Sequence, residues 1–234
     1  MEIKQLFNIN NEIRVVNFEN EHTAKPERFY LPFEPEKLYQ LLGAKYKAEV
    51  LKRVSADKYV SLDEDMKQNI MDVAKWLCDP NKRPGLLLYG NVGTGKTTLL
   101  HAMANIINTC CEKERDANNK FKATLEEWNV VTVIKAKTVI NESVDPKGRY
   151  NTMLSTAIMA IDELGVEPTE SKLYGNVSEP LIDLLCERYD RQLCTIISTN
   201  MGDSEIADRY GRRVSDRFNE MFATVPFTSK SFRQ

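Results

Sequence analysis

The sequence predicts an α/β fold, a parallel five-stranded sheet with helices on both faces. Three observations predict it. Short apolar or β-branched runs alternate with helical stretches along most of the chain. One such run, Leu86-Leu87-Leu88-Tyr89, leads straight into Gly90-Asn91-Val92-Gly93-Thr94-Gly95-Lys96-Thr97, which fits the phosphate-loop pattern of Gly, four residues, then Gly-Lys-[Ser/Thr]. Another, Ala157 to Ile161, ends in the adjacent acids Asp162 and Glu163, and the carboxyl ends of parallel strands are where such sheets bind ligands.

Taken in order, the first 60 residues differ from the rest. Pro26, Pro32 and Pro35 interrupt the segment from Ala24 to Glu36, which should be extended or turn-like. Glu36 to Arg53 reads as a helix with Leu38, Leu41, Leu42 and Tyr46 on one side. Ser61-Leu62-Asp63-Glu64 supplies a helix start with acids in its first turn. The helix it opens carries Met66, Ile70, Val73, Ala74 and Leu77 at helical spacing and stops at Asp79-Pro80. The strand Leu86–Tyr89 and the phosphate loop follow, then a helix from Thr98 through Ala104. Cys111 to Glu127 is polar and reads as a surface connection. Val130–Ile134, Ser155–Ile161, Thr195–Ser198 and Ala223–Phe227 supply the remaining strands. A boundary is expected at residue 60, with 1–60 an accessory or partner-contact segment and 61–234 the catalytic domain.

Composition narrows the class. The chain has 234 residues, 42% of them hydrophobic, enough for one α/β domain with a modest extra segment. A net charge of −2 gives no global positive field for nucleic acid. Five cysteines without C-x-x-C spacing suggest free thiols in a reducing compartment. With no apolar signal core at Met1–Gln5 and no run of membrane-spanning length, a cytoplasmic protein is the expectation.

The motifs point to phosphate chemistry. Glycines let the loop turn so that its N–H groups face phosphate oxygens, and the following helix adds the positive end of its dipole. Lys96 is suited to the β and γ phosphates, and Thr97 to Mg²⁺. Asp162 offers a hard oxygen for the same ion, and Glu163 an acceptor for a proton from the attacking water. Asn200, ending the strand Thr195–Thr199, is suited to orient that water or touch the γ-phosphate. The stretch from Arg209 to Phe218 is arginine-dense. Arg209 and Arg212 read as a solvated face pairing with Asp208, Asp216 and Glu220. Lys135, Lys137, Lys147 and Arg149 are candidate phosphate contacts for nucleic acid, with Tyr150 a candidate for stacking on a base.

Four stretches, in this order, resemble the AAA+ ATPases of the DnaC helicase-loader and IstB transposition-helper group: Gly90–Thr98, Ile161-Asp162-Glu163-Leu164-Gly165-Val166-Glu167, Ile197–Asn200 and Tyr210–Phe218. The closing Ser231-Phe232-Arg233 is similar to that group's final Ser-Tyr-Arg. The resemblance covers roughly residues 60–234. It implies an AAA+ P-loop NTPase that binds ATP and Mg²⁺ through Gly90–Thr98, Thr97 and Asp162. Glu163 is then the hydrolytic acid, Asn200 the first sensor, Arg233 the second sensor, and Arg217 the arginine finger, with Arg213 the weaker candidate. Only 34 residues follow Asn200, too few for a full helical lid.

The same resemblance implies a homo-oligomer with ATP held between subunits, loading a replicative helicase onto single-stranded DNA and using hydrolysis as a release switch. Two alternatives share the nucleotide pocket: a transposition helper binding DNA and a transposase, and a nucleotide-gated interaction module with negligible catalysis.

Overall fold

A computed structural model describes residues 28–53, 61–112, 131–144, 148–168, 171–173 and 176–229. Arg233 and its neighbours Ser231 and Phe232, Lys147, Val130 and most of the connection expected over 111–127 lie outside the described residues.

Helix α1 (Pro35–Leu51) opens with proline in its first turn, where a missing N–H costs nothing. It buries Leu38, Leu42 and Tyr46. Leu41, expected on the same side, is 43% exposed. The row of residues four apart forms the contact stripe, and a position three along from Leu38 rolls out of it. Helix α2 (Glu64–Cys78) begins as expected: the Asp63 carboxylate accepts from the Met66 N–H at 2.7 Å. Strand β1 (Gly85–Gly90) then runs into the glycine loop, and α3 (Lys96–Glu112) leaves it. Next come β2 (Val133–Lys135), shorter and later than the run Val130–Ile134 suggested, α4 (Ala136–Ser143), α5 (Arg149–Ser155) and β3 (Ile158–Leu164). Strands β4 (Ser171–Leu173) and β5 (Asn176–Ser178) form a small antiparallel pair that alternating patterning did not announce. Helix α6 (Pro180–Asp190), β6 (Cys194–Thr199), α7 (Asp203–Tyr210), α8 (Arg212–Met221) and β7 (Phe222–Phe227) complete the order.

The five-stranded sheet has the order β2-β3-β6-β1-β7, and every pairing in it is parallel. One hydrophobic cluster lies under α1, α2 and α3, with Leu42, Ile70, Leu99 and Ile107 fully buried. The other packs α4, α6, α7 and α8 on the opposite face through Val139, Leu184, Ile206 and Phe218. Helix α1 therefore shares its core with α2 and α3. After β6 the chain forms α7 and α8 and returns to the sheet as β7, with no separate helical layer among the described residues. Among those residues no helix is long and apolar enough to cross a membrane.

Parallel connectivity sets the chemistry of the two sheet edges. Each helix that precedes a strand delivers its C-terminal carbonyls to the amino edge. Each helix that follows a strand starts at the carboxyl edge, with free N–H groups. The glycine loop, the acid pair and Asn200 all stand at the carboxyl edge.

Candidate nucleotide site

Three glycines of the loop, Gly90, Gly93 and Gly95, hold backbone no other residue accepts easily. Gly90 has φ +129°, and a Cβ there would strike the Phe227 carbonyl. Gly95 has φ +97°, and a Cβ there would strike the Tyr46 hydroxyl of α1. The end of β7 clasps the loop from the other side, since the Asn91 N–H donates to the Phe227 carbonyl at 3.1 Å.

Lys96 is 6% exposed and folds back on the loop, donating to the carbonyls of Gly90 (2.7 Å) and Asn91 (2.6 Å). Burial pulls its pKa down to about 8, partly opposed by Asp162. One residue on, the Thr97 hydroxyl donates to the Asp162 carboxylate at 2.9 Å. Asp162 is buried and also accepts from the Ser198 hydroxyl, which in turn accepts the Glu163 N–H at 3.1 Å. Ser198 thus ties both acids to β6. Its polarity inside the apolar run Ile196-Ile197-Ser198 was the available signal, and composition-based reading passes over it.

Glu163 occupies left-handed backbone at φ +59°, where the pairing of β3 with β6 shifts register between Ile161 and Leu164. A non-glycine residue held there is costly and concentrates at functional positions. The distortion sends the two adjacent carboxylates to different neighbours. Asp162 meets Thr97 and Ser198, while Glu163 meets Lys135 at 2.8 Å. That ion pair raises the Lys135 pKa. Lys135 stands opposite Asp162 in the β2–β3 register, so a residue read as a nucleic-acid contact is engaged at the acid pair.

A cavity of about 330 Å³ brings Gly93–Thr98, Glu163, Ser198 and Asn200 together. Tyr46, Val50 and Arg53 of α1 and its C-terminal end line it as well, and sequence reasoning did not assign them to the site. No periodicity marks a helix end as a cavity wall, which only tertiary packing creates. Thr97 and Asp162 present a paired hydroxyl and carboxylate, donors suited to Mg²⁺. Among the described residues no cluster of three or more His, Cys, Asp or Glu forms a protein-only cage.

The arginine-dense segment lies on α7 and α8, and none of its residues lines the cavity. Arg217 is paired within the chain to Asp190 at 3.4 Å and stacks 5.0 Å from the Tyr189 ring. Arg213 is exposed and has no ion pair among the described residues. Arg209 pairs with buried Glu167 rather than with Asp208, Asp216 or Glu220, and Arg212 has no ion pair among the described residues. Glu167 is reachable because Gly165, at φ +105°, turns the chain back and donates its N–H to that carboxylate at 2.8 Å. Of the nucleic-acid candidates, Lys137 is exposed, and Arg149 pairs with Glu142 at 3.2 Å. Tyr150 donates its hydroxyl to the Pro180 carbonyl at 2.5 Å and packs its ring on the second cluster, which withdraws it from stacking on a base.

A glycine loop at a strand–helix junction, with a lysine, a threonine–aspartate pair and a second acid around one cavity, defines a P-loop NTPase. The AAA family, described as the ATPase family associated with various cellular activities, matches residues 86–223, more than half of the chain, and the chain belongs to that family. A relative named replicative helicase loader DnaI, from Bacillus subtilis (strain 168), is 28% identical over 145 residues, covering 62% of this chain and 42% of that protein. The chain thus matches under half the length of that relative. The crystal structure of the DnaC helicase loader aligns with TM-score 0.51 and 18% identity, covering 75% of this chain and 97% of that one. A crystal structure of DnaI aligns with TM-score 0.51 and 16% identity, covering 77% and 94%. These likenesses bear out the expected fold and the resemblance to the helicase-loader group.

Proposed function

We propose that this chain is an ATP-hydrolysing DNA replication protein that loads a replicative helicase onto single-stranded DNA. The observation that carries the reading is the single cavity shared by the phosphate loop, Glu163 and Asn200. The relative named as a helicase loader supports the choice of process.

In this reading the loop N–H groups and Lys96 take the phosphates, and Lys96 exchanges the Gly90 and Asn91 carbonyls for phosphate oxygens. Thr97 and Asp162 would hold Mg²⁺, which would supply charge neutralisation to the phosphates. Glu163, on leaving Lys135, takes the proton of the attacking water, and Asn200 orients that water. Arg217 leaves Asp190 to reach the ATP of a neighbouring subunit, and Arg233 serves as the second sensor. Residues 1–60 provide the helicase contact, with α1 committed to the ATPase core. Lys137 and Arg149 meet the DNA backbone.

Size-exclusion with light scattering, run with and without a non-hydrolysable ATP analogue, tests the shared site. ATP-dependent assembly is the expected result. Arg217→Ala should bind ATP and lose assembly-dependent hydrolysis, whereas Arg213→Ala should retain it. A monomer under every condition contradicts the reading. Pull-down of a hexameric helicase rather than a transposase tests the process.

A further inference from the structure

Helix α1 brings a second cation to the cavity. Of the residues lining the cavity, Lys96 and Arg53 carry positive charge. Arg53 follows the end of α1, and its guanidinium donates to the Thr98 hydroxyl at 3.3 Å. Among the described residues no carboxylate pairs with it. A guanidinium offers five N–H donors in a planar fork, and the one hydroxyl contact leaves most of them directed elsewhere.

The position is fixed rather than incidental. Tyr46, two turns earlier on α1, packs its hydroxyl against Gly95, and Leu38 and Leu42 anchor the same helix in the core. Tyr46, Val50, Leu62 and Met66 line the same cavity with apolar surface suited to a flat base. In the phosphate loop Lys96 serves the β and γ phosphates. The Arg53 guanidinium reaches Thr98, one residue past the Mg²⁺-suited Thr97, and so stands at the first turn of α3 beside that loop.

We propose that Arg53, at the end of α1, binds the α-phosphate of the nucleotide in cis. The inference rests on the ATP-site reading above and adds to it a nucleotide contact from outside the family-matched residues 86–223. The contact is to a phosphate that ATP and ADP share, so the affinity it supplies does not distinguish them. Arg53 thus senses occupancy by either nucleotide, while Glu163 and Asn200 face the γ-phosphate.

The test is titration of fluorescent ADP and ATP analogues into the full chain, comparing wild type, Arg53→Met and Arg53→Lys. Arg53→Met should weaken both nucleotides alike, by about tenfold to a hundredfold, the scale of a charge-assisted hydrogen bond. Arg53→Lys should recover part of the loss through charge without the fork. Melting temperature without nucleotide should not move, because Arg53 is exposed and makes one long side-chain hydrogen bond. Unchanged ADP affinity in Arg53→Met overturns the inference and leaves the ATP site standing. Weakening of ATP alone also overturns it, by assigning the guanidinium to the γ-phosphate. A wild type that binds neither nucleotide removes the ATP-site reading itself.

Discussion

The two edges of the sheet carry similar cations and use them differently. At the amino edge, Arg188 is fully buried and donates to Thr195 Oγ1 (2.8 Å) and to the carbonyls of Met153 (2.9 Å), Thr156 (2.7 Å) and Cys194 (2.7 Å). Arg83 donates to the carbonyls of Asn219 and Phe222, both at 2.8 Å. Lys82 donates to the Leu77 carbonyl at 3.3 Å and sits 4.0 Å from the Trp76 ring. Three of these acceptors, the carbonyls of Met153, Asn219 and Leu77, stand in the last turns of α5, α8 and α2, and those of Thr156 and Phe222 directly follow α5 and α8, groups a helix cannot satisfy by itself. At the carboxyl edge, Lys96 and Lys135 rest on the Gly90 and Asn91 carbonyls and on Glu163. Phosphate can replace the first set of partners, and water or a rotamer change can release the second. The amino edge is closed by its own chain, and the carboxyl edge is completed by a ligand.

That contrast predicts opposite outcomes from similar substitutions. Lys96→Ala should have the largest effect on ligand, weakening ATP by about a hundredfold in equilibrium titration. It should leave unfolding without nucleotide unchanged or slightly stabilised, because a buried cation is removed. Arg188→Met should do the reverse. Losing four hydrogen bonds from a charged, fully buried donor should cost about 3 kcal/mol or more in urea unfolding, with nucleotide affinity per folded molecule unaltered. Equal stability losses in the two variants would erase the distinction between the edges.

Lys82→Met carries a pH signature. Burial lowers the Lys82 pKa from 10.5 to about 8, with Cys194, Cys78 and Asp79 opposing the shift. Between those values the folded protein binds fewer protons than the unfolded one. Its stability therefore rises with pH across that window, and the penalty is fully present below about pH 8. Lys82→Met should remove a rise on the order of 3 kcal/mol. Subtracting the variant's pH profile from that of wild type isolates Lys82 from the two thiols. A difference that does not change between pH 8 and 10.5 contradicts the assignment.

The same contrast explains what was legible in the sequence. The carboxyl edge was legible because its chemistry is contiguous: one loop, one acid pair, one strand-end asparagine. The strands and the parallel sheet were legible because β-branched runs alternate with helical ones. Arg188 was not, since its acceptors lie in α5, the loop after it and β6, brought together by tertiary packing. Leu41 was misassigned because a stripe of residues four apart leaves room for only one of two adjacent leucines to point inward. Arg53 had no local signal at all. Its meaning depends on α1 packing beside the loop, a contact across 45 positions of sequence. The bulge that separates Asp162 from Glu163 depends likewise on pairing with β6.

In the proposed function, one protomer's Glu163 and another's Arg217 complete a single ATP site. Mixing Glu163→Gln with Arg217→Ala, each inactive alone, and measuring ATP hydrolysis as their ratio varies tests it most directly. Mixed assemblies pair an intact Glu163 from one variant with an intact Arg217 from the other. The account predicts that activity appears on mixing and peaks at intermediate ratios. Hydrolysis that stays at the weighted sum of the two inactive proteins at every ratio would contradict it.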